Sequence, residues 1–395
     1  MNDKARTHRI AVIGLGAVGS MTAWQLASKG FKVDGYDRFA PGSDHSGAGG
    51  STRMFRTIYP ESPNYSGLLE KSSTMWRELE RASGLSLMVS TGALTISTPD
   101  SVMVSSTVAA AEAAKVEYEI LDPATTLARH PGQILRDDEV AVFDPGAGVI
   151  RSNAAIVVAA DRAEALGARI LSHTEVFEIS AIGGGYRVSS SFGVEQYDLV
   201  VVAAGGVSAA LLPQFADKLV TRQLTTTWHV AREPQSADPA SCPLVLRRSG
   251  PSRSFGTQCA LDASTVKVGL LWDRDDAVSE TDGFALSVPS EWEALTAECL
   301  ADLYPNVYPQ SVRTQTYADA FSKDGHGYVG ELPGAPGMFV ATGFSAHGFK
   351  IAPAIGALVT DLITTGFSPL HIDELRADRV STADGGTGLL WVRPA

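Results

Sequence analysis

Cysteine is scarce in this chain, with three in 395 residues. Cys242, Cys259 and Cys299 stand far apart with no paired spacing, which argues against a disulfide framework and a zinc site and fits a reducing cytoplasm. Basic runs are missing too. The 32 Lys and Arg are outnumbered by 44 Asp and Glu, a formal net charge of −12, so neither nucleic acid nor an anionic membrane is an expected partner. The longest apolar run, 199–212, is interrupted by Gly205 and Gly206 and is too short to span a bilayer. At the N-terminus polar residues lead straight into an apolar strand, so no secretory segment can be drawn. No internal repeat is found. These absences leave a soluble cytoplasmic protein, long enough for two domains, whose expected partner is a small molecule.

What is present begins at the first strand. Residues 10–13 are apolar, Gly14, Gly16 and Gly19 follow with Ala17 and Val18 among them, and an amphipathic helix starts near Met21. Strand, glycine turn and helix in that order make a dinucleotide site. Gly14 permits the tight turn, Gly16 lets the backbone approach a pyrophosphate, and Gly19 lets helix and strand pack closely while the helix N-terminus faces the anion. A second strand, 32–37, ends in Asp37, followed by Arg38, at the spacing of a carboxylate that binds a ribose hydroxyl.

Further elements follow from periodicity. A glycine- and serine-rich loop, 41–52, leads into Arg53 and Arg56, whose three-residue separation puts them on one face of a helical turn. Helices are expected over 71–82, 106–116, 154–166 and 353–364. Strands are expected over 87–97, 168–172, 175–179, 198–204, 225–231, 265–272 and 338–342. Lys267 sits between Val266 and Val268, so alternation sends it to the opposite face from both. The nucleotide-type elements lie in three separated pieces. The fold expected is α/β with an α+β, two-domain arrangement: 1–86, 150–221 and 322–380 form a Rossmann-like three-layer domain, and 87–149 with 222–321 form an antiparallel-sheet substrate domain. Residues 381–395 are left as a tail.

That interleaving, the Gly14-to-Gly19 turn with Asp37, the segment Ser51 to Arg56, Lys267 in its strand and the loop Gly343 to Lys350 together resemble the family of monomeric sarcosine oxidase and N-methyltryptophan oxidase. Bacterial fructosyl amino acid oxidases belong to the same broad group. The resemblance spans about residues 8–375 and implies FAD as cofactor in place of the NAD that a bare glycine turn would suggest. It implies an oxidase that takes a hydride equivalent from an N-substituted amino acid, yields an imine that hydrolyses, and reduces O2 to hydrogen peroxide. By the same resemblance Arg56 and Lys350 hold the substrate carboxylate, a guanidinium fork suiting bidentate binding and an ammonium adding a point charge. Arg53 lies near the flavin ring, and Lys267 lies beneath it and assists oxygen reduction. Cofactor contacts are implied at Gly14, Gly16, Ala17, Val18, Gly19, Asp37, Arg38, Ser51, Thr52, Arg53, Val176, Ala204 and Gly205, and at Gly343, Phe344, His347, Gly348, Phe349 and Lys350. For His347 a backbone-positioning role is favoured over that of a base. A monomer is expected.

Departures from the family pattern carry their own expectations. Tyr317 stands where the family places a cysteine joined to FAD by a thioether, so the flavin is expected to be noncovalent unless His45 makes an unrelated bond. Two histidines that crowd the sarcosine pocket are replaced by Gly49 and Leu271, which implies a roomier site and a substrate bulkier than sarcosine. Asp319 replaces a tyrosine near the substrate and would place an acid beside a polar or cationic tail. Trp228, Phe255 and Trp272 could line the pocket. The alternatives are a fructosyl amino acid oxidase, a biosynthetic flavin amine oxidase or dehydrogenase, a nicotinamide-dependent dehydrogenase and a flavin-binding protein without activity.

Overall fold

Ile10, Ala11 and Val12 have no exposed surface and Ile13 almost none, the signature of a strand covered on both faces. In the computed structural model, which describes residues 8–248, 254–270, 288 and 291–379, this strand lies within a six-stranded sheet. The order is Tyr328–Glu331, Met338–Thr342, Leu199–Val202, Arg9–Ile13, Lys32–Tyr36 and Arg169–Leu171. All neighbours are parallel except the edge pair Tyr328–Glu331 and Met338–Thr342. Ile10 and Val12 pack with the helices Ala17–Ser28, Ser152–Ala165 and Ala352–Thr365. Ala11 and Ile13 pack toward a three-stranded antiparallel meander, Val176–Ile182, Gly185–Ser190 and Gly193–Tyr197. The layers are therefore helices, parallel sheet and meander. At Gly356 the last helix crosses the first so closely that a Cβ would stand 2.7 Å from the backbone of Met21.

A second sheet has eight strands, in the order Val307–Ser322, Leu219–Ala231, Thr265–Leu270, Ser254–Cys259, Leu244–Arg248, Ala93–Ser97, Val140–Asp144 and Glu119–Leu121. Its pairing is antiparallel apart from Leu244–Arg248 with Ala93–Ser97. The register sets Trp228 opposite Lys267 and Leu224 opposite Tyr317. Among the described residues no helix is long and apolar enough to cross a membrane.

Most expected elements are present with shifted ends. The helix expected over 71–82 runs Ser66–Ser83, because a 3-10 turn at Pro63–Tyr65, capped by the Ser62 side chain, starts it earlier. The strand expected over 87–97 splits at Gly92, whose φ of +69° turns the chain between Met88–Ser90 and Ala93–Ser97. Arg53 and Arg56 do not share a helical face. Thr52–Phe55 is a strand paired with Gly148–Arg151, and strand alternation sends residues three apart to opposite sides. Leu271, Trp272 and the tail 381–395 lie outside the described residues.

Candidate functional site

A cavity of about 510 Å³ runs between the glycine turn and the loop after the strand Met338–Thr342. Gly14, Gly16, Ala17, Val18, Asp37, Arg38, Val176, Ala204 and Gly205 line it at the first end. Arg53, Asp319, Gly343, Phe344, Gly348 and Phe349 also line it. Gly14 adopts φ +89°, and a Cβ there would stand 2.7 Å from the Ala203 carbonyl oxygen. At Gly19 a Cβ would meet the Gly14 carbonyl oxygen at 1.7 Å, so close helix-strand packing demands glycine. Gly16 differs. A Cβ on it meets no protein atom within 4 Å although the residue lines the cavity, which leaves that space to a ligand at the N-terminus of the helix Ala17–Ser28.

The Asp37 carboxylate accepts the Leu15 N–H and the Phe39 N–H, both at 2.8 Å, which pins the second strand end to the turn. Burial lifts its carboxyl above the usual range, although both N–H donors oppose the shift. Helix terminus, acid and glycine-lined channel fit a long ligand with an anionic middle, as a dinucleotide has.

At the far end the loop Gly343 to Gly348 takes left-handed backbone at Gly343, Ser345 and Ala346, with φ of +76°, +51° and +67°. Two non-glycine residues in this region are costly and need external support. Asp319 supplies it. One carboxylate oxygen accepts the Ala346 N–H at 2.9 Å and the other accepts the Ala320 N–H at 2.9 Å. Burial pushes its carboxyl up to about 6, against the pull of these donors and of Arg53. His347 is held at both nitrogens. Its Nε2 faces the Gly325 carbonyl at 2.7 Å and so carries the proton, which leaves Nδ1 to accept from the Tyr59 hydroxyl. Burial and the nearby Lys350 push the imidazole down to about 4. A neutral ring with both nitrogens committed positions the loop.

Beyond the cavity lining, a second cluster forms around Tyr59. Arg56 and Lys350 are both buried, with Cζ 5.7 Å and Nζ 5.1 Å from the centre of the Tyr59 ring. Lys350 Nζ donates to the His347 carbonyl at 3.0 Å. Burial, reinforced by Arg56, lowers the Lys350 ammonium to about 7, with Glu61 opposing. Arg56 donates to Glu61 at 2.9 Å. Burial alone would raise the Glu61 carboxyl, but Arg56, Lys350 and His347 hold it below its ordinary value. The other Glu61 oxygen, Oε2, is buried without a hydrogen-bond partner among the described residues. Arg56 and Lys350 thus both lie beside Tyr59 and both act on Glu61, whose carboxylate already engages the arginine.

Lys267 lies in neither group. Its buried ammonium donates to the carbonyls of Gly50 at 3.2 Å and Thr52 at 3.0 Å. Burial, with Arg53 and Arg313 adding to it, holds this ammonium well below the ordinary lysine range. Ser51 and Thr52 stay out of the cavity lining: Ser51 turns the chain at φ +70°, and the Thr52 side chain accepts from Gln258 at 2.8 Å. Gly49 is absent from the lining as well. A Cβ there would meet the Asp44 carbonyl oxygen at 2.6 Å and Tyr317 Cε1 at 2.8 Å, so the space freed by its lack of a side chain is already filled. Phe255 is core, packed with Leu270 and Trp292, and Trp228 packs with Tyr317.

Glu61, Tyr59 and Asp44 were not found from sequence. Each acts from an irregular segment, where no periodicity marks the direction of a side chain.

A parallel sheet with a glycine turn, an acid after the second strand and a closing loop from the end of the chain define a dinucleotide-binding protein. Residues 9–362 match the family described as DAO, FAD dependent oxidoreductase, and the chain belongs to that family and uses FAD. It is 24% identical to the monomeric sarcosine oxidase of Streptomyces avermitilis over 362 residues, 91% of this chain and 94% of that protein. It is also 24% identical to the N-methyl-L-tryptophan oxidase of Salmonella enteritidis over 382 residues, 94% of this chain and 99% of that one. Among solved structures, NikD, described as an unusual amino acid oxidase essential for nikkomycin biosynthesis, superposes with a TM-score of 0.80 at 22% identity. That superposition covers 94% of this chain and 98% of NikD. The fold is therefore that of a flavin-dependent oxidoreductase.

Proposed function

We propose that this protein is an FAD-dependent oxidase of amino acids that carry a secondary amine. The carrying observation is the buried pair Arg56 and Lys350, both beside the Tyr59 ring, an arrangement suited to a carboxylate. Two positive groups fixed in a dry site orient the α-carbon and turn an encounter into an aligned complex. A substrate carboxylate competes there with Glu61, whose Oε1 accepts from Arg56 and whose Oε2 has no partner among the described residues. The names of the relatives, a sarcosine oxidase and an N-methyl-L-tryptophan oxidase, support a secondary amine as the reacting group.

FAD would be held by the glycine turn, Asp37 and the loop Gly343 to Gly348, and would supply a two-electron acceptor for the substrate hydride equivalent and a route for those electrons to oxygen, giving an imine and hydrogen peroxide. The chain's own residues orient and tune. Arg56 and Lys350 bind the carboxylate, His347 and Asp319 hold the loop Gly343 to Gly348, and Lys267 and Arg53 place positive charge where negative charge develops on the way to oxygen. With Tyr317 at the linkage position FAD is held without a covalent bond. Of the two replacements suggesting a roomier pocket, Gly49 yields its space to Tyr317, so the size of the N-substituent is a matter for a substrate screen.

The test compares peroxide release from N-methyl, N-fructosyl and cyclic amino acids with release from their carboxamides. The acids are expected to react and the carboxamides to lose about a hundredfold in kcat/KM, as loss of a charge-assisted pair implies. Equal rates for acids and carboxamides would remove the carboxylate clamp.

A further inference from the structure

Tyr317 is buried, with 2% of its surface exposed, on the strand Val307–Ser322. It is wedged against two glycines. A Cβ on Gly50 would stand 2.0 Å from its hydroxyl oxygen, and one on Gly49 would stand 2.8 Å from Cε1. Gly50 is also the residue whose carbonyl receives the Lys267 ammonium. The loop that carries the lysine's acceptor is thus shaped around this ring.

Two cations lie over the ring. Arg53 Cζ is 5.0 Å from its centre and Lys267 Nζ is 5.8 Å from it. Lys267 is also 5.2 Å from the Trp228 ring, which carries Arg313 Cζ at 4.3 Å. Cation-π contacts thus link Arg53 to Tyr317, Tyr317 to Lys267, Lys267 to Trp228 and Trp228 to Arg313. Among the described residues neither Arg53 nor Lys267 forms an ion pair. Arg53 donates to the carbonyls of Thr52 and Gly47, and Lys267 to those of Gly50 and Thr52. The charged groups that bear on Lys267 are Arg53 from the strand Thr52–Phe55, Arg313 from the strand Val307–Ser322, and Asp44 from the glycine-rich loop. Arg53 and Arg313 oppose its charge and only Asp44 favours it, while Asp44 is itself paired with Arg313 at 2.9 Å. Asp319 and Asp44 act on Arg53 through charge, and Asp44 alone on Lys267, while the hydrogen bonds of both cations go to carbonyls. The π faces of Tyr317 and Trp228 add to this stabilisation, each cation-π contact contributing more when water is excluded.

We propose that Tyr317 is a positioning residue for the oxygen half-reaction: its ring holds Lys267 as an ammonium beside Arg53, in the place where the resembled family carries its flavin-linking cysteine. This deepens the proposed function and rests on the role given there to Lys267. The ring rather than the hydroxyl does the holding, so phenylalanine substitutes for it and a flexible aliphatic chain does not.

The test uses the apoprotein and the holoenzyme. In apoprotein labelled with 13C at lysine Cε, the Lys267 resonance, assigned by its absence in Lys267→Met, is titrated in the wild type, Tyr317→Phe and Tyr317→Met. Methionine fills the volume without a π face. The midpoint is expected to be unchanged in Tyr317→Phe and to fall by about one pH unit in Tyr317→Met, a tenfold loss in the preference for the charged form. In the holoenzyme the rate of flavin reoxidation by oxygen should then decline about one pH unit earlier in Tyr317→Met. A titration midpoint that stays in place in a folded Tyr317→Met protein overturns the proposal. If Lys267→Met leaves reoxidation unchanged, the reading of Lys267 fails instead, whatever the titration shows.

Discussion

At the proposed carboxylate site Lys350 sets the response to pH near neutrality. Lys350 loses its proton near 7 in the ligand-free protein because it is buried beside Arg56. An anion placed against it favours the charged form, so binding draws a proton in once the pH has passed 7. Affinity for a carboxylate without an amine, which removes the substrate's own titration, should be level below pH 7 and fall as pH rises through and beyond it. Lys350→Met should bind about tenfold more weakly at pH 6 and lose that slope, as a calorimetric or spectral titration would register. A slope that survives the substitution would assign it to another group. None of this was open to inspection in the sequence beyond the two cations. Arg56 and Lys350 were named through the family resemblance, whereas Glu61 was not, because four residues of irregular chain separate it from Arg56. Gly49 was read as lost bulk, and the contact that fills the gap comes from Tyr317, 268 positions further along the chain.

At the scale of elements, the glycine turn was the most legible part, since its requirements are local: a short buried strand, backbone at positive φ, and a helix that must approach closely. Its three glycines nonetheless serve different ends, and two substitutions separate them. Gly19→Ala drives a Cβ into the Gly14 carbonyl and should destabilise the apoprotein by about 1–3 kcal/mol, visible as a lowered thermal midpoint. Gly16→Ala meets nothing in the protein and should leave that midpoint in place while weakening FAD binding by about tenfold or more. If Gly16→Ala binds FAD normally, the pyrophosphate does not lie at Gly16. The segment around Arg53 was misread for a related reason. Four residues are too few for periodicity to separate helix from strand, and the pairing with Gly148–Arg151 that makes it a strand is nearly a hundred residues away in sequence. That pairing puts Arg53 at the cavity and Arg56 at the carboxylate site.

At the scale of the whole molecule, the strands of the parallel sheet come from 9–36, 169–202 and 328–342, and those of the eight-stranded sheet from 93–144 and 219–322. The α/β class was readable because Arg9–Ile13, Leu199–Val202 and Met338–Thr342 are short, mostly apolar and buried, as strands of a covered parallel sheet are. What sequence could not convey is how the two meet. The cavity takes its glycine turn from the beginning of the chain, its closing loop from the end, and Asp319 from a strand of the second sheet. The proposed function makes the cofactor cavity, the cluster of Arg56 and Lys350, and Lys267 parts of one reaction, and that reaction can be watched directly. Purified protein is mixed without oxygen with an N-methyl, N-fructosyl or cyclic amino acid, and its visible spectrum is followed before and after air is admitted. The account predicts a yellow protein that bleaches with at least one of these acids and regains its colour in air with release of one hydrogen peroxide per bleached flavin; a colourless protein, or a yellow one that no secondary-amine amino acid bleaches, would contradict it.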